Sequence, residues 1–123
     1  VYMTENGILY SKDKKTLYAM LYRASGEFEV VSGVETIGMA AFNGQQITKL
    51  ILPEGLTKIE QQAFTQCGYL ESVEIPTTVT TIETGAFERC ENLTSMNIKR
   101  KANSIAGAPW GIPKGMKVIN WNG

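Results

Sequence analysis

Two adjacent stretches of this chain are copies of one another, and that repeat limits what the chain can fold into more than any other feature does. Residues 50–72 read LILPEGLTKIEQQAFTQCGYLES and residues 73–95 read VEIPTTVTTIETGAFERCENLTS. With an offset of 23, Leu50 meets Val73, Leu52 meets Ile75, Pro53 meets Pro76, Leu56 meets Val79 and Ile59 meets Ile82. The match continues through Ala63 and Ala86, Phe64 and Phe87, Cys67 and Cys90, and Leu70 and Leu93. Upstream, Phe28, Val30, Val34, Ile37, Ala41 and Phe42 align with an offset of 22, and the one-residue deletion lies between Phe42 and Ile47. Downstream, Met96, Ile98, Ala102, Ile105 and Trp110 continue the series, and Met116, Ile119 and Trp121 repeat Leu93, Met96 and Ile98. The repeats are therefore 28–49, 50–72, 73–95 and 96–118, followed by a closing half-turn, with residues 1–27 as an N-terminal cap.

A period of this length predicts a solenoid. Val73 and Ile75 alternate as a strand does, and Pro76, which has no N–H to donate, ends that strand. Val79 and Ile82 lie on the return path. The segment Thr84 to Arg89, which carries Ala86 and Phe87, is expected to be helical or irregular on the convex side, with Phe87 plugging the core. One repeat cannot bury these residues alone. Stacking sets each on its own copy about 4.8 Å away, the spacing of paired strands. Leu50, Val73, Met96 and Ile119 then form one apolar column, and Leu52, Ile75, Ile98 and Trp121 a second.

The run from Ile75 to Ile98, with its Ile-Pro strand end, Ala-Phe pair, Cys and following Leu, resembles the BspA-type leucine-rich repeat, the Treponema pallidum-type class. The resemblance covers residues 28–121. Residues 6–18, where Ile8 and Tyr10 alternate, as do Leu17 and Ala19, about a Lys-Asp-Lys-Lys turn, resemble the β-hairpin that precedes such arrays. The expected fold is a right-handed leucine-rich-repeat superhelix of the α/β class. It would have a concave parallel sheet, short helical or irregular convex segments and an N-terminal hairpin cap. The resemblance implies a bacterial cell-surface or secreted protein that binds protein partners, host matrix or surface proteins among them. The end repeats depart from the pattern: Val31 stands in the Pro position, and Lys99 and Pro109-Trp110 replace Pro and Ala-Phe. End repeats of solenoids are commonly atypical.

Composition narrows the function from the other side. The 123 residues include no histidine, one aspartate (Asp13), two cysteines and as many bases as acids. Nucleophile–histidine pairs, His-ligated zinc and Asp-rich calcium loops are excluded. A neutral chain lacks the broad basic surface of a nucleic-acid binder, and no apolar run approaches the length of a membrane span. No cofactor is expected, since neither a GxGxxG nor a P-loop is present. The chain begins at Val1 without a basic or apolar leader, and is read as a mature or excised fragment.

Cys67 and Cys90 are expected one repeat apart, and their parallel side chains favour buried thiols over a disulfide. Lys99-Arg100-Lys101 reads as a solvated turn, and Glu71 with Glu74, or Glu88 with Glu91, as surface acids rather than a glycosidase pair. Asn92-Leu93-Thr94 fits a glycosylation sequon, but Leu93 belongs to the core. Gly7, Gly26, Gly33 and Gly44 read as turns. No catalytic or metal-binding residue is assigned, and an enzyme is not expected. The candidate binding face is the outward side of the concave strands, with Glu29, Ile51, Glu74, Asn97 and Asn120 in one column and Lys49, Ser72, Ser95 and Val118 in the next. The expected function is a non-catalytic protein-interaction module. The alternatives are a structural spacer, or a carbohydrate-binding module using Tyr2, Tyr10, Tyr18 and Tyr22 of the cap.

Overall fold

A computed structural model describes residues 2–102, 104–112 and 118–123. Its strands are β1 Tyr2–Glu5, β2 Ile8–Ser11, β3 Thr16–Met20, β4 Ser25–Glu29, β5 Thr36–Ile37, β6 Gln46–Ile51, β7 Lys58–Ile59, β8 Ser72–Ile75, β9 Thr81–Ile82, β10 Ser95–Ile98 and β11 Ile119–Trp121. They form a solenoid with two sheets. One is five-stranded and runs β11-β10-β8-β6-β4; the other is six-stranded and runs β1-β2-β3-β5-β7-β9. Parallel pairing of β4, β6, β8, β10 and β11 keeps Phe28, Leu50, Val73, Met96 and Ile119 in one register, as the repeat offset requires.

The second sheet joins the cap to the repeats. β1, β2 and β3 form an antiparallel meander, and β3 then pairs in parallel with β5 through Thr16–Thr36 and Leu17–Ile37. The two-residue strands β5, β7 and β9 stack Ile37 on Ile59 on Ile82. The hairpin alternation holds for Ile8, Tyr10 and Leu17, all buried. It fails after Leu17: Leu9 pairs with Ala19 and Tyr10 with Leu17, leaving Tyr18 as the extra residue of a bulge. Met20, rather than Ala19, therefore packs against the core. Gly26 also departs from its turn assignment: it lies in β4, where φ is 72° and the register shifts. The extra residue is Thr48 of β6, between the partners Ile47 and Lys49, and Gly26 takes the left-handed conformation opposite it.

The convex segments are turns. No helix occurs among the described residues, so the helical and α/β expectation is corrected to an all-β solenoid. The reason lies in the backbone donors around each Ala-Phe pair. The N–H groups of Ala40, Phe42 and Gly44 donate to Gln61, Ala63 and Thr65 in the next repeat, at 3.2, 2.8 and 3.1 Å. Those of Gln62, Phe64 and Gln66 donate in turn to Thr84, Ala86 and Glu88. The intervening N–H groups close tight turns, as in Ala63 to Glu60, Thr65 to Gln62 and Cys67 to Phe64. Alternate donors thus point along the solenoid instead of back along their own chain. Left-handed residues at each end of the segment make this possible: Ala40 and Gly44, Gln62 and Gln66, Gly85 and Arg89, with φ from 56° to 73°. A residue in that region interrupts a right-handed helix.

The core is one apolar cluster threaded by an aromatic stack. Phe42 and Phe64 have ring centroids 4.9 Å apart, and Phe64 and Phe87 lie 5.2 Å apart and nearly parallel. Phe28 closes the stack edge-on at one end. At the other, buried Trp110 stands one repeat beyond Phe87, whose N–H donates to the Trp110 carbonyl. Trp121 pairs beside Ile98 and meets the Trp110 ring edge-on, covering the last apolar column as expected. Met116 lies outside the described residues.

Cys67 and Cys90 are free, buried thiols. Each S–H donates to a backbone carbonyl of the preceding repeat, Cys67 to Phe42 and Cys90 to Phe64, both at 3.1 Å. The neighbouring Cys67 thiol and burial push the Cys90 thiol well above its ordinary range. Neither should react with an aromatic disulfide reagent over hours in the folded protein, and both should react at once in denaturant. Fast reaction in native buffer would show that the stack is not closed.

The cap turn between β2 and β3 carries the chain's one aspartate. Asp13 accepts from the Lys15 N–H at 3.0 Å and from the Ser11 hydroxyl at 2.7 Å. These bonds, the Lys15 N–H first, hold its carboxyl below the usual 3.8. Its contribution to the turn is therefore complete above the unfolded value and is lost as pH falls through the lower folded value. An NMR titration should find Asp13 titrating below an ordinary aspartate, and a midpoint at or above 3.8 would refute the turn geometry.

Candidate functional site

The outward face of the five-stranded sheet is assembled by strand register. Pairing runs Glu29–Ile51–Glu74–Asn97–Asn120, so these residues form one column across all five strands. A second column runs Glu27–Lys49–Ser72–Ser95. In β6, β8 and β10 these positions alternate with Leu50, Val73, Ile75, Met96 and Ile98, which are buried, so the period of two turns them outward. Glu29, Lys49, Glu74 and Asn120 are exposed, and Ile51, Ser72, Ser95 and Asn97 are half-buried. Val118 does not join them. It is 5% exposed, and its carbonyl accepts from the Met96 N–H at 2.7 Å.

Charge on this face is unevenly distributed. Lys49 pairs with Glu27 at 3.9 Å, and Lys99 pairs with Glu74 at 3.7 Å. All four side chains are about half exposed, so each pair stabilises by under about 1 kcal/mol. The C-terminal part is uncharged. There Asn120 Nδ2 donates to Asn97 Oδ1 at 3.3 Å, beside Ser72 and Ser95. Glu27 and Lys99 join this face although neither was among the expected binding residues. Glu27 was reachable, because the 22-residue offset that matches Phe28 with Leu50 also matches Glu27 with Lys49. Lys99 is placed by its rotamer, which no spacing reveals.

The other candidates fall into structural roles. Arg100 donates to the Thr77 carbonyl at 2.8 Å and to the Ser104 hydroxyl at 3.2 Å, which leaves Lys101 exposed in the basic run. Glu71, Glu74, Glu88 and Glu91 are all exposed. The Asn92 amide donates to the Gly68 carbonyl at 2.7 Å, within the repeat ladder. Of the cap tyrosines, Tyr10 is 2% exposed and belongs to the core, so it leaves the proposed sugar platform. Tyr2 and Tyr18 are exposed and meet edge-on at 5.2 Å. Tyr22 lies over Gly7 instead. A depression of about 470 Å³ opens between Ile82–Thr84 and Ala106–Trp110, with Glu83 its one charged lining residue. Among the described residues no three His, Cys, Asp or Glu side chains converge, and no helix is long and apolar enough to cross a membrane.

Comparison with known proteins agrees with this architecture. No curated protein matches the chain significantly. Two solved structures share the fold. A leucine-rich repeat protein of T. pallidum is 21% identical, with a TM-score of 0.64, over 77% of this chain and 51% of its own. The pneumococcal vaccine antigen PcpA is 22% identical, with a TM-score of 0.57, over 83% of this chain and 31% of its own. The chain thus spans about half or less of the length of these structural relatives. The family model for the BspA type leucine rich repeat region matches in six copies across residues 18–108. With most of its length covered by that model, the chain belongs to the BspA type leucine-rich repeat family.

Proposed function

We propose that this chain is a non-catalytic protein-interaction module, displayed on or secreted from a bacterial cell, that adheres to a host protein through the outward face of the five-stranded sheet. The observation that carries the proposal is the register of the two columns, which puts side chains from five successive strands on one continuous, largely polar surface. Repeat proteins use such extended faces for binding. The family, and a pneumococcal vaccine antigen among the structural neighbours, support the surface placement. No residue is assigned to a reaction. A hydrolase screen giving turnover that falls with Glu74→Gln would overturn the non-catalytic part.

The binding test passes the purified chain over immobilised host matrix proteins and glycans, beside a Glu74→Lys/Asn97→Lys variant. Both substituted positions are solvent-facing, so the variant is expected to melt within a few degrees of the parent. Saturable binding should weaken by roughly tenfold or more in the variant, the loss expected when a contact residue is reversed at an interface centre. Absence of binding across the panel would favour the spacer instead.

A further inference from the structure

Three Asn-Gly pairs occur in the chain, Asn6-Gly7, Asn43-Gly44 and Asn122-Gly123. Asn-Gly is the dipeptide most prone to spontaneous deamidation, because glycine has no Cβ to hinder its own nitrogen from reaching the preceding side chain. The fold treats the three pairs differently. The Gly44 N–H donates to the Thr65 carbonyl at 3.1 Å, and the Gly123 N–H donates to the Arg100 carbonyl at 3.0 Å. Both nitrogens are thus engaged in bonds between repeats. The Gly7 N–H has no partner among the described residues.

The surroundings of Asn6 add to the contrast. Asn6 and Gly7 form the two-residue turn between β1 and β2, with φ of 52° and 77°, and both are exposed. Among the described residues β1 is the edge strand of its sheet and is paired on one side, to β2. Three of its four residues are exposed. The Glu5–Lys14 ion pair at 2.8 Å ties it down, but Glu5 is exposed and Lys14 only half-buried, so the tie is weak. An edge strand held so lightly opens far more often than a rung inside the stack. Asn43, by contrast, lies on the convex side between Phe42 and Gly44, whose N–H groups are both bonded to the next repeat.

We propose that Asn6 is the chain's site of spontaneous covalent modification, converting to aspartate and isoaspartate while Asn43 and Asn122 are protected. The Gly7 nitrogen loses its proton and attacks Asn6 Cγ. The N–Cγ bond forms, the Cγ–Nδ2 bond breaks, and ammonia leaves with the proton. Water then opens the succinimide at either carbonyl. Each product gains a carboxylate next to Glu5, and the isoaspartyl product also carries an extra backbone carbon through a turn that fits two residues. That carbon should loosen β1 from β2.

The test ages the purified chain in mildly alkaline buffer at body temperature and follows each Asn-Gly peptide by mass spectrometry with isoaspartate-resolving fragmentation. Asn6 should convert at least about tenfold faster than Asn43 or Asn122 in the folded chain. In denaturant Asn6 and Asn43 should convert at similar rates, which assigns the difference to the fold rather than to neighbouring sequence. An Asn6→Gln chain should show no modification at that position and otherwise age as the parent does. Conversion at Asn43 or Asn122 as fast as at Asn6 in the folded chain would overturn the proposal. So would an Asn6 no faster in the folded chain than Asn43.

Discussion

Phe64→Ala is expected to destabilise the chain by about 3–5 kcal/mol, the cost of removing a fully enclosed aromatic ring. Phe64 is the middle ring of the stack, 4.9 Å from Phe42 and 5.2 Å from Phe87, so one truncation exposes a face of each neighbour. Two ring–ring contacts, worth about 0.5–1.5 kcal/mol each beyond burial, go with it. A domain of ordinary stability has about 5–15 kcal/mol in all, so the variant should be near the edge of folding at body temperature. Thermal melting followed by circular dichroism measures the loss. Tyr69→Ala, at a position 56% exposed, is the control and should stay within about 0.5 kcal/mol of the parent. A Phe64→Ala melt no lower than the Tyr69→Ala melt would mean the stack is not the core of the fold.

Gln66→Pro should be comparably damaging, at about 3 kcal/mol or more. The Gln66 N–H donates to the Glu88 carbonyl at 2.9 Å, and its φ of 60° is one a proline ring cannot adopt. Gln66→Gly separates this explanation from a generic intolerance of the convex turn. In a helix that change would cost about 1 kcal/mol. Where φ is already left-handed, glycine relieves a strain of similar size and keeps the N–H. Gln66→Gly is therefore expected to be neutral or slightly stabilising in a chemical melt, and a clear loss would contradict the turn geometry.

The contrast shows which parts of this structure were legible in the residues. The strands of the five-stranded sheet were, because alternation of Val73 with Ile75 and a following Pro76 leaves few other conformations. Their register was also legible, since a repeat offset that survives a single deletion aligns Glu29, Ile51, Glu74, Asn97 and Asn120 without further information. The convex turns were not legible, because Ala86-Phe87 and its flanks hold residues compatible with a helical turn. The left-handed positions are occupied by Ala40, Gln62 and Gly85 in one column and by Gly44, Gln66 and Arg89 in the other. One glycine in each column was the available signal, and it is visible only when the repeats are read down rather than across. The two-residue strands β5, β7 and β9 are too short for any periodicity to show, and β1, with three of its four residues exposed, has no buried alternation to read. On the candidate face the columns could be read, but the pairing of Lys49 with Glu27 and of Lys99 with Glu74 depends on side-chain conformations that spacing does not encode.

The alternation of donors along the convex turns also sets how the chain answers to pulling. Backbone bonds between repeats run parallel to the stacking direction on every side of the coil: in both sheets and in the turns. Tension applied from end to end stretches those bonds lengthwise. All the bonds within one junction share the load, while the junctions carry it in series. The junction with the fewest bonds yields first. Three convex donors cross from the 40–44 turn and three from the 62–66 turn, whereas among the described residues Phe87 alone donates from the 85–89 turn to the last one, and β9 has no strand beyond it. On the convex side, the bonds to the C-terminal turn would therefore give way before those of the two earlier turns.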